Sequence, residues 1–286
     1  MDQSIQWFPG HMTRTKRKIT EMLPQADIVV EIVDARIPIS SRNPDLDSLV
    51  VNKPRMLILN KSDVADEAAT TGWLNYYHDH NIPAIAVDCK SGKGVNRFVP
   101  PMREVLKEKI RVWEEKGMVN RPIRAMVVGI PNSGKSSFIN RMARGGKAKV
   151  EDRPGVTRNN QWFTVQGGAL LLDTPGVLWP KFDDETVGEH LAFTGAVTDR
   201  IIDTELLGMR LLEILVPQYP ELLEARYGIT EFPEDSYDML CALGKKRGMV
   251  IRGGEVDTLR AANMLLEEYR TCKIGKITLE RISEDA

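Results

Sequence analysis

Short apolar runs separated by polar, helix-forming stretches dominate the first part of the chain. Runs rich in β-branched and aliphatic residues at 26–33, 55–60 and 83–88 have the length and composition of buried strands. Between the first two, PDLDSLV predicts a short helix, and residues 66–80 predict a longer one. Strands and helices therefore alternate from the beginning of this region.

The same alternation of strands and helices continues through residue 173, interrupted by a charged connector. Residues 95–116 have the periodicity of one long amphipathic helix, and the connector follows at 114–122. AMVVGI at 125–130 predicts another buried strand, followed by a glycine-containing loop and a helix from about Gly134. Residues 160–173 contain two further strand candidates. This order predicts an α/β fold with a doubly wound sheet.

After about residue 182 the pattern becomes helical. Leucine and methionine recur at helical spacing between Leu206 and Leu265, interrupted by prolines and glycines. We therefore predict two domains, a sheet domain at 1–182 and a smaller, mainly helical domain at 183–286. The segment KITLERI near the end predicts a short strand.

Composition limits the class of protein. The net charge is −1, from 39 Lys and Arg against 40 Asp and Glu, so any nucleic-acid surface must be a local patch. The three cysteines are widely spaced, which fits a reducing compartment better than a disulfide framework or a zinc motif. The N-terminus has no signal-peptide core and no apolar run could span a bilayer, so we expect a cytoplasmic protein.

Residues 129–136 read GIPNSGKS and match the phosphate-loop pattern between a predicted strand and a predicted helix. Such a loop directs its N–H groups and a helix N-terminus at phosphate oxygens. Lys135 is expected to neutralise the β- and γ-phosphates in binding and catalysis, and Ser136 to ligate Mg²⁺. The predicted nucleotide contacts here are Asn132, Ser133, Gly134, Lys135, Ser136 and Ser137. The alternative, a Gly-Lys surface turn, is disfavoured by the flanking strand and helix.

The sequence DTPG at 173–176 follows the apolar run ALLL. An acid at a strand end can hold Mg²⁺ through its water shell, and the Gly176 N–H can approach a γ-phosphate closely. Alone this motif would be a simple turn. Roughly forty residues after a phosphate loop, it predicts the second half of a phosphate-and-metal site.

The sequence NKSD at 60–63 ends the second predicted strand. The Asp63 carboxylate can accept hydrogen bonds from N1–H and the 2-amino group of guanine, a pair of donors that adenine lacks. Asn60 can bond N7 and nearby backbone, and the Lys61 stem can cover the ring face. Ser62 is the residue between Lys61 and Asp63. A polar strand-end turn is the alternative, but with the phosphate motifs present the sequence favours guanine over adenine.

Three further nucleotide contacts are predicted from position. Asp88 and Cys89, at the next strand end, lie where a loop supplies backbone N–H groups to guanine O6, although Cys89 could equally be a buried filler. Thr157, between the phosphate loop and DTPG, could close its hydroxyl over Mg²⁺ when a γ-phosphate is present. An ordinary polar loop residue is the alternative for Thr157.

The order of these motifs is permuted, because most GTPases place the phosphate loop first and NKxD after DTPG. Ligands bind at the carboxyl ends of parallel strands, so the site needs those ends to be neighbours in space, whatever their order in the chain. One consequence is that DTPG now directly precedes the predicted helical domain. A γ-phosphate-dependent change in residues 174–182 would then act on residues 183–286 without an intermediary.

The chain resembles the ribosome biogenesis GTPase A family of circularly permuted bacterial GTPases. The matching segments are IQWFPGHM at 5–12, VDARIP at 33–38, SRNP at 41–44, NKSD at 60–63, GIPNSGKS at 129–136, DRPGVT at 152–157 and DTPGVLWPK at 173–181. The match covers nearly all of residues 5–182. The helical region is less diagnostic.

The resemblance implies a GTPase that binds GTP and GDP and acts late in assembly of the large (50S) ribosomal subunit. Its partners would be that subunit and its rRNA, and the particle would stimulate hydrolysis. Val177 stands where many GTPases carry a water-orienting glutamine, and the resemblance points instead to His11 as the catalytic residue. Asn132 resembles a K⁺ ligand beside the phosphates, in addition to the Mg²⁺ ligands Ser136 and Thr157.

Each of these assignments has an alternative. His11 could anchor the N-terminal segment or contact RNA, and Asn132 could be a turn-stabilising amide. The basic residues Arg14, Lys16, Arg17 and Lys18, and the cluster Lys245, Lys246 and Arg247, could bind RNA phosphate or be solvated helix faces. A nucleotide-switched binding module with little intrinsic hydrolysis is the second functional hypothesis, and an ATPase, disfavoured by NKSD, is the third.

Overall fold

The structure is a computed structural model that describes residues 17–143, 162–165, 167–174, 176, 184–197 and 203–282. Among the predicted site residues, His11 and Thr157 lie outside these ranges.

A six-stranded sheet is the centre of the first compact unit. Its strands are β1 (Ile28–Asp34), β2 (Arg55–Asn60), β3 (Ala84–Ala86), β4 (Ile123–Val128), β5 (Trp162–Val165) and β6 (Ala169–Asp173). Their spatial order is β3-β2-β1-β4-β6-β5. All neighbours are parallel except β5, which pairs antiparallel with β6. The predicted α/β sheet is confirmed.

Helices connect the parallel strands. They are α1 (Pro44–Leu49), α2 (Glu67–Asp79), α3 (Val99–Val105), α4 (Lys107–Glu115) and α5 (Lys135–Ala143), with short 3₁₀ turns at Leu23–Gln25 and Val95–Arg97. The prediction of one helix over 95–116 is wrong. The backbone leaves helical geometry at Leu106 (φ −102°, ψ 9°), whose side chain is buried in the core.

The core lies on both faces of the sheet. All seven residues of β1 are buried, as expected of a central parallel strand covered on both sides. Val30 and Ile32 pack in one cluster with Phe98 and Phe138, whereas Val29 packs in another. This arrangement explains why β1 is mostly apolar in the sequence; its one mid-strand charge, the buried Glu31, pairs with Arg55 of β2 at 3.1 Å.

A second compact unit comprises the described residues between 182 and 279. Its helices are α6 (Glu185–Phe193), α7 (Thr204–Gln218), α8 (Pro220–Tyr227), α9 (Ser236–Lys246) and α10 (Thr258–Arg270). Leu211 and Leu215 of α7, Leu240 of α9 and Leu265 of α10 are fully buried, which is the apolar pattern that the sequence showed. None of the helices in the described part of the chain combines the length and apolar character needed to cross a bilayer.

Residues 280–282 belong to the first unit, although the sequence assigned them to the helical domain. The strand predicted in KITLERI is absent, since residues 276–282 lie outside any helix or strand. An alternation of apolar and polar side chains occurs in strands and also in extended segments that pair with no other strand. Residues 276–282 form such an unpaired segment.

The buried carboxylate of Glu268 links three helices of the second unit. It accepts hydrogen bonds from Arg226 Nε at 2.8 Å, Tyr227 OH at 3.0 Å and Arg247 Nη2 at 2.9 Å. Hydrogen bonds from Arg226, helped by Tyr227 and by both guanidinium charges, outweigh burial and lower the pKa of Glu268 to about 2. The carboxylate is therefore more stable, relative to its protonated form, in the folded unit than in the unfolded chain.

Replacing Glu268 by glutamine should destabilise the helical unit by about 2 kcal/mol, because two partly buried guanidinium groups lose their counter-charge. In the unsubstituted chain the same contribution is present above pH 4.5 and is lost as the pH falls from about 4.5 to about 2. Denaturant unfolding monitored at pH 7 and pH 3 measures both effects. Glu267→Gln, at an exposed position on the same helix, is the control, and an equal loss in both variants would contradict the assignment.

Candidate functional site

The carboxyl ends of β1, β2, β4 and β6 bring the predicted motifs to one edge of the sheet. The phosphate loop leaves β4 and enters α5, so the predicted strand–loop–helix context is present. Asn132 in this loop has a positive φ of 59°, and Gly134 one of 100°. Lys135, Ser136 and Ser137 form the first turn of α5, where unpaired backbone N–H groups favour an anion.

Asn60 joins three of the predicted motifs through its side-chain amide. Its Nδ2 donates to the carbonyl of Ser133 at 2.8 Å, and its Oδ1 accepts the N–H of Cys89 at 3.1 Å. The amide lies so close to Gly134 that a Cβ there would be 2.1 Å from Nδ2. NKSD, the phosphate loop and the base loop are therefore held together despite their permuted order.

The phosphate-loop lysine is buried. Lys135 Nζ donates to the carbonyl of Ile130 at 2.7 Å. Burial lowers the pKa of Lys135 to about 8, opposed by the negative charge of Asp173. Because a buried ammonium is costly without a counter-charge, this position favours an anionic ligand.

Ser136 and Asp173 meet beside this lysine and fit a magnesium ion. Ser136 Oγ lies 3.2 Å from Asp173 Oδ2, and Asp173 Oδ1 is buried without a hydrogen-bond partner among the described residues. A hydroxyl and a carboxylate are the hard oxygen donors that Mg²⁺ prefers. The sequence named Asp173 as the acid of DTPG but placed only Ser136 and Thr157 among the metal residues. The structure brings Asp173 to Ser136.

Gly176 lies against the phosphate loop. A Cβ at this position would lie 2.8 Å from the backbone N of Pro131 and 3.1 Å from Lys135 Nζ, so only glycine fits. Thr174 Oγ1 donates to the carbonyl of Val127 at 2.6 Å and fixes the start of the DTPG segment to β4.

In NKSD, Asp63 is exposed and makes no hydrogen bond or ion pair within the described residues. Ser62 is fixed by its backbone, whose N–H donates to the carbonyl of Val87 at 3.2 Å. Lys61 adopts a positive φ of 62°, and its Nζ forms an ion pair with Asp34 at 2.8 Å. Asp63 is thus the available acceptor of the motif, whereas the ammonium of Lys61 is held by the protein.

The base loop that follows β3 is held by hydrogen bonds within the protein. Asp88 is buried and its carboxylate accepts the N–H groups of Lys90 at 2.7 Å and Ser91 at 3.1 Å. Burial alone would raise the pKa of Asp88, but these hydrogen bonds hold it below its usual range. The N–H of Asp88 donates to the carbonyl of Lys93, and the N–H of Cys89 donates to Asn60. Both amides that the sequence directed at guanine O6 therefore have acceptors inside the protein. The Cys89 thiol is buried, which raises its pKa to about 12.

Sequence reasoning missed Arg141, on the last turn of α5. Its Nε donates to the carbonyl of Cys89 at 3.3 Å, and its Nη2 donates to the carbonyl of Lys90. A single arginine at the end of a phosphate-loop helix carries no recognisable signal. Its importance comes from the fold, which places the end of α5 beside the base loop.

Comparison with known proteins decides the family. A family model described as 50S ribosome-binding GTPase matches residues 124–209. Ribosome biogenesis GTPase A of Priestia megaterium is 50% identical to this chain over 282 residues, which are 98% of each protein. The chain belongs to the ribosome biogenesis GTPase A family. It is therefore a guanine-nucleotide-binding GTP hydrolase whose nucleotide binding depends on Mg²⁺.

Solved structures agree with this family. A GDP-bound structure of TM YlqF has a TM-score of 0.65 and 25% sequence identity, covering 93% of this chain and 99% of that one. A GNP-bound structure of YlqF from T. maritima has a TM-score of 0.64 and 25% identity, covering 94% and 98%. The permuted α/β fold is thus shared over nearly the whole length of both proteins.

Replacing Ser136 by alanine should remove most of the Mg²⁺ dependence of GDP binding, because the hydroxyl beside Asp173 is lost. The Mg²⁺ dependence is the ratio of the GDP affinity measured in Mg²⁺ to the GDP affinity measured in EDTA. We expect this ratio to fall by about 10-fold in the variant, the value of one hydrogen bond to a charged group. Ser137→Ala, at the next exposed position of the same helix, should leave the ratio unchanged. Equal ratios in all three proteins would exclude Ser136 as a metal ligand.

Proposed function

We propose that the protein is an assembly factor that acts in late maturation of the large (50S) ribosomal subunit and uses GTP hydrolysis in that task. The observation that carries the proposal is the 50% identity to ribosome biogenesis GTPase A over 98% of both chains. That similarity includes the helical unit as well as the GTPase motifs. Since its partner would be the ribosomal subunit, we also place the protein in the cytoplasm.

The helical unit is our candidate for contact with rRNA. Lys245 and Lys246, at the end of α9, are exposed and make no ion pair among the described residues. Arg247 is committed to Glu268, so it is not a candidate for RNA phosphate. Nearby, Val250 and Ile251 are about half exposed, at 50% and 48%. Exposed lysines beside apolar side chains suit a nucleoprotein surface better than a purely solvated helix end.

Co-sedimentation with purified large subunits tests this function. The intact protein is mixed with the particles in GDP or in a non-hydrolysable GTP analogue, and GTP turnover is measured with and without particles. We expect nucleotide-dependent binding and stimulated turnover. Lys245→Glu combined with Lys246→Glu should weaken binding without changing GDP affinity. Binding that ignores the nucleotide, or turnover that the particle leaves unchanged, would contradict the proposal and favour a binding module with little hydrolysis.

For hydrolysis we propose His11 as the residue that orients the attacking water. The supporting observation is the valine at 177, which cannot hydrogen-bond a water. Lys135 would stabilise charge on the phosphates in the transition state. His11→Ala should lower particle-stimulated turnover by about 100-fold, a usual size for lost acid–base or water positioning, and keep GDP affinity. Full turnover in this variant would refute the role.

We propose K⁺ as a further cofactor bound beside Asn132. The positive φ of Asn132 holds this residue in the phosphate loop in a conformation that asparagine adopts more readily than most residues. A monovalent cation there would offset charge that develops between the phosphates. Turnover compared in K⁺ and Na⁺, in the original protein and in Asn132→Ala, tests this proposal. Equal rates in both salts would exclude it.

A further inference from the structure

The C-terminal residues 280–282, here called the strap, lie against the GTPase unit. The backbone carbonyl of Glu280 accepts a hydrogen bond from Trp73 Nε1 at 2.8 Å. The guanidinium of Arg281 pairs with Asp66 at 2.7 Å, at the N-cap of α2. The strap is therefore fixed to α2 by both backbone and side chain.

The Glu280 carboxylate also binds the loop that follows β1. It accepts the backbone N–H of Ser40 at 2.9 Å, the hydroxyl of Ser40 and the backbone N–H of Ile39. Ser40 is buried. A carboxylate that accepts three hydrogen bonds from two consecutive residues restricts the loop strongly, because charged acceptors form the stronger hydrogen bonds.

The same loop is bonded to the end of β1. Ser41 Oγ accepts the N–H of Asp34 at 2.9 Å and donates to the carbonyl of Ile37 at 2.6 Å. Arg36 forms a two-pronged pair with the Asp34 carboxylate, at 3.0 Å from Nε and 2.8 Å from Nη2. The position of Asp34 therefore depends on the conformation of residues 36–41.

Asp34 in turn holds the lysine of NKSD. Its Oδ2 lies 2.8 Å from Lys61 Nζ, and the Asp34 side chain is 3% exposed. Burial would raise the pKa of Asp34, but Arg36 and Lys61 outweigh burial and keep it ionised. Lys61 has a left-handed backbone conformation that is uncommon for lysine, so this ion pair helps to keep its side chain in one place.

We infer that Glu280 is a positioning residue for guanine binding, which acts through the loop at 36–41 and Asp34 on the side chain of Lys61. The aliphatic stem of Lys61 would cover the face of a bound base, and the ion pair with Asp34 fixes where the stem lies. The inference requires guanine-nucleotide binding and is independent of the proposed ribosomal role, of His11 and of K⁺. The DAR sequence at 34–36 and the C-terminal strap would then both position the side chain of Lys61.

The first test is a GDP titration of Glu280→Ala in the full chain. We expect affinity to fall by about 3- to 10-fold, the range for a lost set of hydrogen bonds that acts at one step removed. The affinity for pyrophosphate, measured by its competition with GDP, should stay unchanged because pyrophosphate makes no contact with the base site. Glu221→Ala, an exposed acid in the helical unit, is the control and should bind both ligands as before. Equal losses for GDP and pyrophosphate would overturn the inference.

A double-mutant cycle with Lys61→Ala separates positioning from general stability. If Glu280 acts through Lys61, adding Glu280→Ala to Lys61→Ala should change GDP affinity by less than about 2-fold, because coupled residues are not additive. Additive losses would overturn the inference. Should Glu280→Ala fail to fold, Glu280→Gln and Ser40→Ala keep part of the hydrogen-bonding set, and the same cycle applies to them.

Discussion

Replacing Asp63 by asparagine should change the nucleotide preference from guanine to xanthine. The Asp63 carboxylate is exposed at the end of β2 and has no hydrogen bond or ion pair within the described residues, so it is available to the base. Asparagine offers one donor and one acceptor where guanine needs two acceptors. We expect GDP affinity to fall by on the order of 10³-fold, because one guanine donor is left unpaired.

Xanthine carries an oxygen in place of the 2-amino group. The amide nitrogen of the introduced asparagine could donate to that oxygen, while the amide oxygen still accepts from N1–H. Titration with GDP and with xanthosine diphosphate measures both affinities. Asp79→Asn, at the exposed end of α2, is the matched control and should keep the preference for GDP. An Asp63→Asn variant that still prefers GDP would show that Asp63 does not read the base.

Replacing Gly134 by alanine should weaken nucleotide binding severely while the protein stays folded. A Cβ at this position would lie 2.1 Å from Asn60 Nδ2, which is impossible without moving the amide. The displaced amide would lose its bonds to Ser133 and Cys89, so that the phosphate loop and the base loop separate. We expect GDP affinity to fall by at least about 100-fold, the value of two buried hydrogen bonds to aligned groups.

Gly117→Ala is the control for this second substitution. Gly117 also has a positive φ, 74°, but no atom lies within 4 Å of the Cβ that alanine would add. Both variants therefore carry backbone strain of about 1 kcal/mol, and only one carries the clash. GDP titration and thermal unfolding of the two variants separate binding from stability. Normal GDP binding by Gly134→Ala would mean that Asn60 does not organise the site.

The motifs that the sequence could predict are those whose chemistry is local. Gly134, Lys135 and Ser136 follow one another on a strand–loop–helix segment, and Asp63 stands a few residues beyond the end of a strand. In such segments backbone geometry places the groups almost by itself. The sheet was predictable for the same reason, because each buried parallel strand is a continuous apolar run.

The contacts that sequence reasoning missed connect distant parts of the chain. Arg141, for example, supports a base loop that lies some fifty residues before it in the sequence. The Asp88 carboxylate closes its own loop by accepting two backbone N–H groups, a side-chain role that the sequence did not indicate. The helix predicted over 95–116 breaks at Leu106, a buried position. Such outcomes depend on packing, which hydrophobic periodicity does not encode.

The strap makes the helical unit an insertion within the GTPase unit, since GTPase residues lie on both sides of it in the sequence. Thr278 is bonded to Tyr219 in the helical unit, and Glu280, two residues later, is bonded in the GTPase unit. A chain cut after residue 182 would therefore lose the strap together with the helices. To isolate the effect of the helical unit, its residues should be replaced by a short linker that leads directly into Glu280.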